Sequence, residues 1–107
     1  MNTENIAHTM AELGNATRLE IFRLLVRAGP DGLTIGEIGK RLGIPASTLG
    51  FHIRGLVSVE LITQEKQGRS VICRPGLKTI TTVIQELVAE CCVDMDVTIS
   101  STEKEDA

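Results

Sequence analysis

Residues 34–58 constrain the fold more than any other segment, because they encode two short helices with almost no chain between them. Thr34 followed three residues later by Glu37 is the pattern of a capping box, which begins a helix. Gly43 suits the left-handed conformation that commonly ends a helix, and a second apolar repeat begins directly after Ile44. Two short helices joined by only these two residues predict a helix-turn-helix.

The remaining periodicity adds three helices and a β-hairpin to this motif. Apolar residues recur every three or four positions in the helical segments, and Thr3 is the expected N-cap of the first helix. Gly68 centres a tight turn between two strand-like segments, with Lys66 and Arg69 on either side. The predicted fold class is therefore mainly α with a small β-hairpin. The predicted helices span residues 3–13, 16–28, 34–42, 45–58 and 77–92, and the predicted strands span residues 61–67 and 70–74.

The length of 107 residues predicts one small domain and excludes several classes of protein. No apolar run reaches the roughly 18 residues that a membrane span requires, and the first five residues lack the features of a secretory signal. We therefore expect a cytoplasmic protein, in which three cysteines form no disulfide framework. No catalytic constellation of side chains is recognisable, so an enzyme is not expected. We assign residues 1–98 to the folded domain and residues 99–107 to an acidic, disordered tail.

Charge is segregated along the chain, although the net charge is only −3. Residues 40–74 carry six basic and two acidic side chains, a net charge of +4. Residues 86–107 carry seven acidic side chains and one basic side chain. A basic segment that contains a helix-turn-helix and a basic hairpin tip favours a DNA-binding surface.

Three segments resemble the ArsR/SmtB family of bacterial repressors, in matching order and spacing. They are LGNATRLEIFRLL at 13–25, LTIGEIGKRLGIPASTLGFHIRGL at 33–56, and LITQEKQGRSVICRPG at 61–76. The second segment ends in the family's His-aliphatic-x-x-Leu pattern, and the resemblance covers residues 5–92. It implies a winged helix-turn-helix repressor. The first and last helices carry apolar stripes that a thin monomer cannot fully cover, so we expect a homodimer, formed through these helices, that binds double-stranded DNA at a palindromic operator.

The second helix of the predicted helix-turn-helix is the expected recognition helix. Leu49, Ile53 and Leu56 form its apolar side, and short polar residues occupy its first turn, as major-groove recognition requires. Gly50 stands where many family members have Ser, which removes a hydroxyl that could contact DNA. The alternative is that the charged side chains, such as Lys66 and Arg69, are ordinary solvated residues and that His52 is a packed, half-buried histidine. The expected DNA contacts are Ser47, Thr48, Phe51, His52 and Arg54 on this helix and Lys66 and Arg69 on the hairpin.

Cys91 and Cys92 are adjacent at the predicted end of the last helix, where they cannot both face the core. The run Glu90-Cys91-Cys92 resembles the ending of arsenic-responsive family members, which implies that trivalent arsenic is the effector. Two thiolates saturate a methylated arsenical such as methylarsenite, whereas arsenite offers three exchangeable positions. No cysteine follows, so the pair favours the methylated species. Cys73 could be a third ligand, but a packing role under the hairpin is expected.

Effector binding at the end of an interface helix would change the spacing of the two recognition helices and release the DNA. Neighbouring carboxylates should raise the pKa of both thiols, so binding must displace protons. No organic cofactor is expected. Two other interpretations stay open: a redox- or persulfide-responsive repressor that uses the same cysteines, and a winged-helix protein-interaction module. The residues expected in the dimer interface are Ile6, Met10, Leu77, Ile84 and Leu87.

Overall fold

The computed structural model describes residues 1–95, which fold as helices around a three-stranded antiparallel sheet. This arrangement confirms the predicted fold class, and the predicted tail at 99–107 lies outside the described residues. None of the helices within residues 1–95 combines the length and apolarity that a membrane crossing needs. The helices are α1 (Thr3–Leu13), α2 (Ala16–Ala28), α3 (Ile35–Leu42), α4 (Ala46–Ser58) and α5 (Leu77–Val88), and the strands are β1 (Leu33–Thr34), β2 (Ile62–Gln67) and β3 (Ser70–Pro75).

The helix-turn-helix of α3 and α4 forms as predicted. The Thr34 hydroxyl accepts a hydrogen bond from the Glu37 N–H at 3.1 Å, and the Glu37 carboxylate accepts one from the Thr34 N–H at 2.8 Å. Gly43 ends α3 with a φ of 67°, a conformation that costs a side-chain-bearing residue about 1–2 kcal/mol. The Ile44 N–H then donates to the Gly39 carbonyl at 3.0 Å, which closes the turn before α4.

One apolar core holds α4 in place. Leu49, Ile53 and Leu56 are each at most 3% exposed, which confirms the predicted apolar side of this helix. Each buried side chain of this size stabilises the fold by about 1.5–3 kcal/mol relative to an exposed one. The strands, α2 and α3 supply the other walls of this core. Its fully buried members are Ile21, Leu25, Ile38, Leu49, Leu56, Leu61, Ile62 and Cys73.

The hairpin of β2 and β3 is joined by a tight turn at residues 68–69, with Gln67 paired to Ser70. Gly68 has a φ of 62°, which permits this turn at no steric cost. A third strand, β1, pairs with the other edge of β3 and places Leu33 opposite Cys73. The sequence did not predict β1, because two residues are too few to show alternation.

Two predicted helix ends were wrong. The N-cap of α1 is Asn2 rather than Thr3, because the Asn2 side chain accepts the Asn5 N–H at 2.8 Å. Helix α5 ends at Val88 and does not reach the cysteine pair. The N–H of Cys91 donates to the Val88 carbonyl, three residues back, at 3.0 Å, so the chain continues as successive turns. All residues from 84 to 95 are exposed, so no packing within the chain extends the helix.

Replacing Thr34 with Ala should lower the free energy of unfolding by about 1 kcal/mol, because the capping hydroxyl is lost. Thr34→Ser keeps that hydroxyl and should lose much less. Urea denaturation of both variants measures the difference. An equal loss in the two variants would show that the capping bond does not stabilise α3.

Candidate nucleic-acid interface

The side of α4 opposite the core is a polar, exposed surface. Ser47 and Thr48 in its first turn are exposed, as are Arg54 and Phe51, whose side chain is 58% accessible. Pro45, the N-cap, provides no side-chain hydrogen bond, so the N–H groups of the first turn have no side-chain acceptor at the cap. Helix N-termini of this kind attract anionic groups such as phosphate. The exposed residues of α4 therefore lie where the sequence predicted them.

His52 is the exception among the predicted contacts on α4, because it is half-buried and has a partner in the fold. Its Nδ1 accepts a hydrogen bond from Arg18 Nε of α2 at 3.1 Å. The Arg18 guanidinium lies 5.2 Å from the centroid of the Phe51 ring and forms an ion pair with Glu12 of α1. The half-burial of His52 and the hydrogen bond to its Nδ1 agree with the predicted alternative of a packed histidine. No local pattern pointed to Arg18, which is 34 positions from His52.

Gly50, in the middle of α4, lies beside the side chain of Arg54. A Cβ atom at this position would lie 3.3 Å from Arg54 Nη1, closer than ordinary van der Waals contact. The Arg54 side chain therefore folds back beside the helix turn that Gly50 leaves open. Because Arg54 Nη1 is the end of a flexible side chain, a small movement of Arg54 would accommodate a Cβ atom at Gly50.

The hairpin tip presents two cations. Lys66 and Arg69 are both exposed, and neither has an ion-pair partner among residues 1–95. Arg74 differs, because its guanidinium donates to Glu65 at 2.7 Å and to the Pro30 carbonyl at 2.8 Å. The Arg74 hydrogen bond holds the pKa of Glu65 below its ordinary value. Arg74 therefore offsets the acidic residue of the hairpin and leaves the tip basic.

The Arg74–Glu65 contact could have been found from the sequence. Thr63 pairs with Arg74 and Glu65 with Ile72, so Glu65 and Arg74 are diagonal neighbours across the two strands. The predicted turn at Gly68 already specifies this register. Arg74 is one of the six basic residues counted in segment 40–74, but its guanidinium is engaged in contacts within the fold.

Cys91 and Cys92 form an exposed pair after the end of α5. Their sulfur atoms are 3.5 Å apart, and Cys92 has a φ of 63°, in the left-handed region. The hydrogen bond with Cys91 raises the pKa of the Cys92 thiol, and the negative charge of a Cys91 thiolate would raise it further. Metal–thiolate bonds are about 2.3 Å long, so both sulfurs could bind one soft ion without a large movement.

Cys73 differs from Cys91 and Cys92 because its side chain is buried. Its side chain is fully inaccessible in β3, and its sulfur accepts a hydrogen bond from Gln64 Nε2 at 3.7 Å. Burial raises the pKa of the Cys73 thiol, which makes it a poor ligand at neutral pH. Residues 1–95 contain no group of three or more His, Cys, Asp or Glu side chains that could hold a metal ion. Cys73 thus does not complete a three-ligand site within one protomer.

Comparison with known proteins finds a matching family and several solved structures with a similar fold. A family described as a helix-turn-helix domain matches residues 13–65. The structure is similar to the crystal structure of an ArsR family transcriptional regulator, with a TM-score of 0.74 and 24% identity over 92% of this chain and 98% of that chain. No curated protein is significantly similar in sequence.

Two further structures show the same fold. One is a homodimeric winged helix-turn-helix DNA-binding domain from Mycobacterium bovis, a possible ArsR-family regulator, with a TM-score of 0.66 and 18% identity over 90% of this chain and 89% of that chain. The other is a possible transcriptional regulator for arsenical resistance, with a TM-score of 0.62 and 20% identity over 83% of this chain and 97% of that chain. The fold is therefore a winged helix-turn-helix.

Proposed function

We propose that this protein is a transcriptional repressor that binds double-stranded DNA as a homodimer and releases it when a trivalent arsenical binds Cys91 and Cys92. The observation that carries the DNA-binding part is the outward face of α4, where Ser47, Thr48 and Phe51 are exposed opposite a buried apolar side. In a helix-turn-helix this face enters the major groove, and its N-terminal residues contact base edges.

The cations around α4 supply the affinity. Lys66 and Arg69 at the hairpin tip and Arg54 on α4 are exposed, and contacts of this kind to phosphate position a protein on the duplex without reading its sequence. The net charge of +4 over residues 40–74 favours such contacts, although the whole chain carries −3. A module that binds only another protein would not need a basic hairpin tip beside a recognition helix.

A second copy of the chain accounts for the exposed apolar side chains of α1 and α5. Met10 is 46% exposed, Leu77 is 54%, and Ile84 and Leu87 are each 56%, while Ile6 is half-buried. Of the residues in α5 only Val83 is buried, so most of the apolar side of this helix is uncovered in a single chain. A two-fold dimer through α1 and α5 would cover it and present two copies of α4 to a palindromic site.

The cysteine pair fits an arsenical that has two exchangeable positions. Methylarsenite, CH3As(OH)2, would exchange both As–O bonds for As–S bonds to Cys91 and Cys92, and each thiol proton would leave with a hydroxide as water. Arsenic stays trivalent, so no oxidant or reductant is needed. Because the protons leave as water, a raised Cys92 pKa does not prevent the exchange. Arsenite would keep one hydroxide on the same two sulfurs and bind more weakly.

Neutralising the hairpin tip should reduce the salt dependence of DNA binding. We expect Lys66→Gln and Arg69→Gln each to lower the slope of log affinity against log salt by about 0.9, the value for one phosphate contact. The probe is the duplex that the native protein selects from a random-sequence pool, measured by fluorescence anisotropy. Lys78→Gln, on α5, is the matched control and should leave the slope unchanged. Unchanged slopes in both tip variants would contradict the assignment of the hairpin to DNA.

A charge in the proposed interface should separate the two protomers. Ile84→Glu would bury a carboxylate against apolar side chains, so sedimentation should show a monomer where the native protein is a dimer. Ile84→Met keeps the apolar character and should remain dimeric. A native protein that sediments as a monomer while bound to one half-site of DNA would refute the dimer.

Methylarsenite should release the DNA at lower concentration than arsenite does, and Cys91→Ser/Cys92→Ser should respond to neither. Cys73→Ala removes the buried thiol and should keep the native response. The measurement is anisotropy of the reduced protein on its selected duplex during titration with each compound. Equal responses to the two arsenicals would reveal a third ligand. Release by peroxide or persulfide, with no release by either arsenical, would instead identify the pair as a redox switch.

A further inference from the structure

We infer that Arg18 of α2 is a positioning residue that makes His52 of α4 a hydrogen-bond donor to DNA. The inference rests on the proposed function, because it assigns the recognition chemistry of the same surface. It concerns a residue outside the helix-turn-helix that has no predicted contact with DNA. The Arg18 guanidinium contacts His52 and Glu12, beside the space that Gly55 leaves open on α4.

The Arg18 side chain is held from two directions and is only 12% exposed. Its Nη1 donates to both the carboxylate and the backbone carbonyl of Glu12 at the end of α1. Its Nε donates to His52 Nδ1 at 3.1 Å. A planar guanidinium makes such contacts with fixed relative directions. The ion pair with Glu12 therefore directs the Nε–H group at the imidazole.

This contact determines which nitrogen of His52 can donate. A guanidinium has only donors, so the Nδ1 atom that accepts from Arg18 carries no hydrogen. A neutral imidazole then carries its hydrogen on Nε2. Within residues 1–95 the Nε2 atom has no hydrogen-bond partner, and the side chain is partly exposed. His52 can thus offer a donor, rather than an acceptor, to the DNA.

Gly55 on α4 provides the space in which Arg18 and Glu12 meet. A Cβ atom at Gly55 would lie 2.7 Å from Arg18 Nη1, 2.8 Å from its Cζ and 2.7 Å from Glu12 Oε1. These atoms are the far ends of flexible side chains, so Gly55→Ala would displace the ion pair without a backbone clash. Alanine is also the better helix former. The substitution is therefore a selective way to move Arg18 while keeping the residue.

A donor at this position selects acceptors on the major-groove edge of the bases. Those acceptors are guanine O6 and N7, adenine N7 and thymine O4, whereas the cytosine amino group is itself a donor. The carboxamide of glutamine can place an N–H donor at a similar distance from the backbone. His52→Gln should therefore preserve the base preference that His52→Ala loses.

Nuclear magnetic resonance of the reduced, ¹⁵N-labelled full chain tests the contact without DNA. We expect a scalar coupling across the hydrogen bond between Arg18 Nε and His52 Nδ1, with the imidazole hydrogen on Nε2. Gly55→Ala should abolish the coupling, and Gly50→Ala, the same change five residues earlier in α4, should retain it. A hydrogen on Nδ1 in the native protein, or a coupling that survives Gly55→Ala, would overturn the inference.

A double-mutant cycle on the selected duplex tests the consequence. Arg18→Met should weaken DNA binding about tenfold when His52 is present, an effect of the size of one hydrogen bond to a charged or fixed group. In the His52→Ala background the same change should weaken binding less than about twofold, since the partner is gone. Equal losses in both backgrounds would show that Arg18 acts independently of His52. If the native protein selects no duplex, the proposed function falls as well, whereas selective failure of the cycle overturns only the role of Arg18.

Discussion

Burial of one side of α4 is the constraint on which the rest of the structure depends. Leu49, Ile53 and Leu56 enter the same core as Leu61 and Ile62, which begin the hairpin. Helix α4 and the hairpin are therefore positioned by one set of apolar contacts. Because those contacts occupy one side of α4, its polar residues must face outward. The separation between the outward face of α4 and the basic hairpin tip is thus set by the core.

Local signals in the sequence were sufficient for the helix-turn-helix and the hairpin. The capping box of Thr34 and Glu37, the left-handed Gly43 and the turn at Gly68 each act within a few residues, so the pattern contains the physical cause. The prediction was wrong where tertiary contacts decide. Strand β1 exists only because Leu33 lies beside Cys73. Helix α5 ends at Val88 although apolar periodicity continues, and none of residues 84–95 is buried by the described part of the chain.

In the candidate site, too, the features set by local spacing could be predicted from the sequence, and those set by tertiary contacts could not. Exposure of Ser47, Thr48 and Phe51 follows from the helical period once the apolar side is known, so the sequence could predict it. The half-buried state of His52 depends on Arg18, which comes from a helix 34 positions earlier. A single sequence contains no periodic signal for such a pair. The position of a functional residue on a helix could thus be read from spacing, whereas its hydrogen-bonding state could not.

The weak attachment of α5 to its own chain bears on how an effector at Cys91 and Cys92 would act. The helix is anchored by the buried Val83 and the partly buried Ile80, and the cysteine pair lies beyond that anchor, in an exposed segment. An ion bound there meets no core residue of the same protomer, so it has little to displace within the fold. Its effect on DNA binding would therefore depend on the surface that packs against the exposed side of α5. In the proposed dimer that surface belongs to the second protomer, and a change in the arrangement of the two protomers moves both copies of α4 together. Since such a coupling is reciprocal, DNA that fixes this arrangement would weaken binding of the proposed arsenical by the same factor.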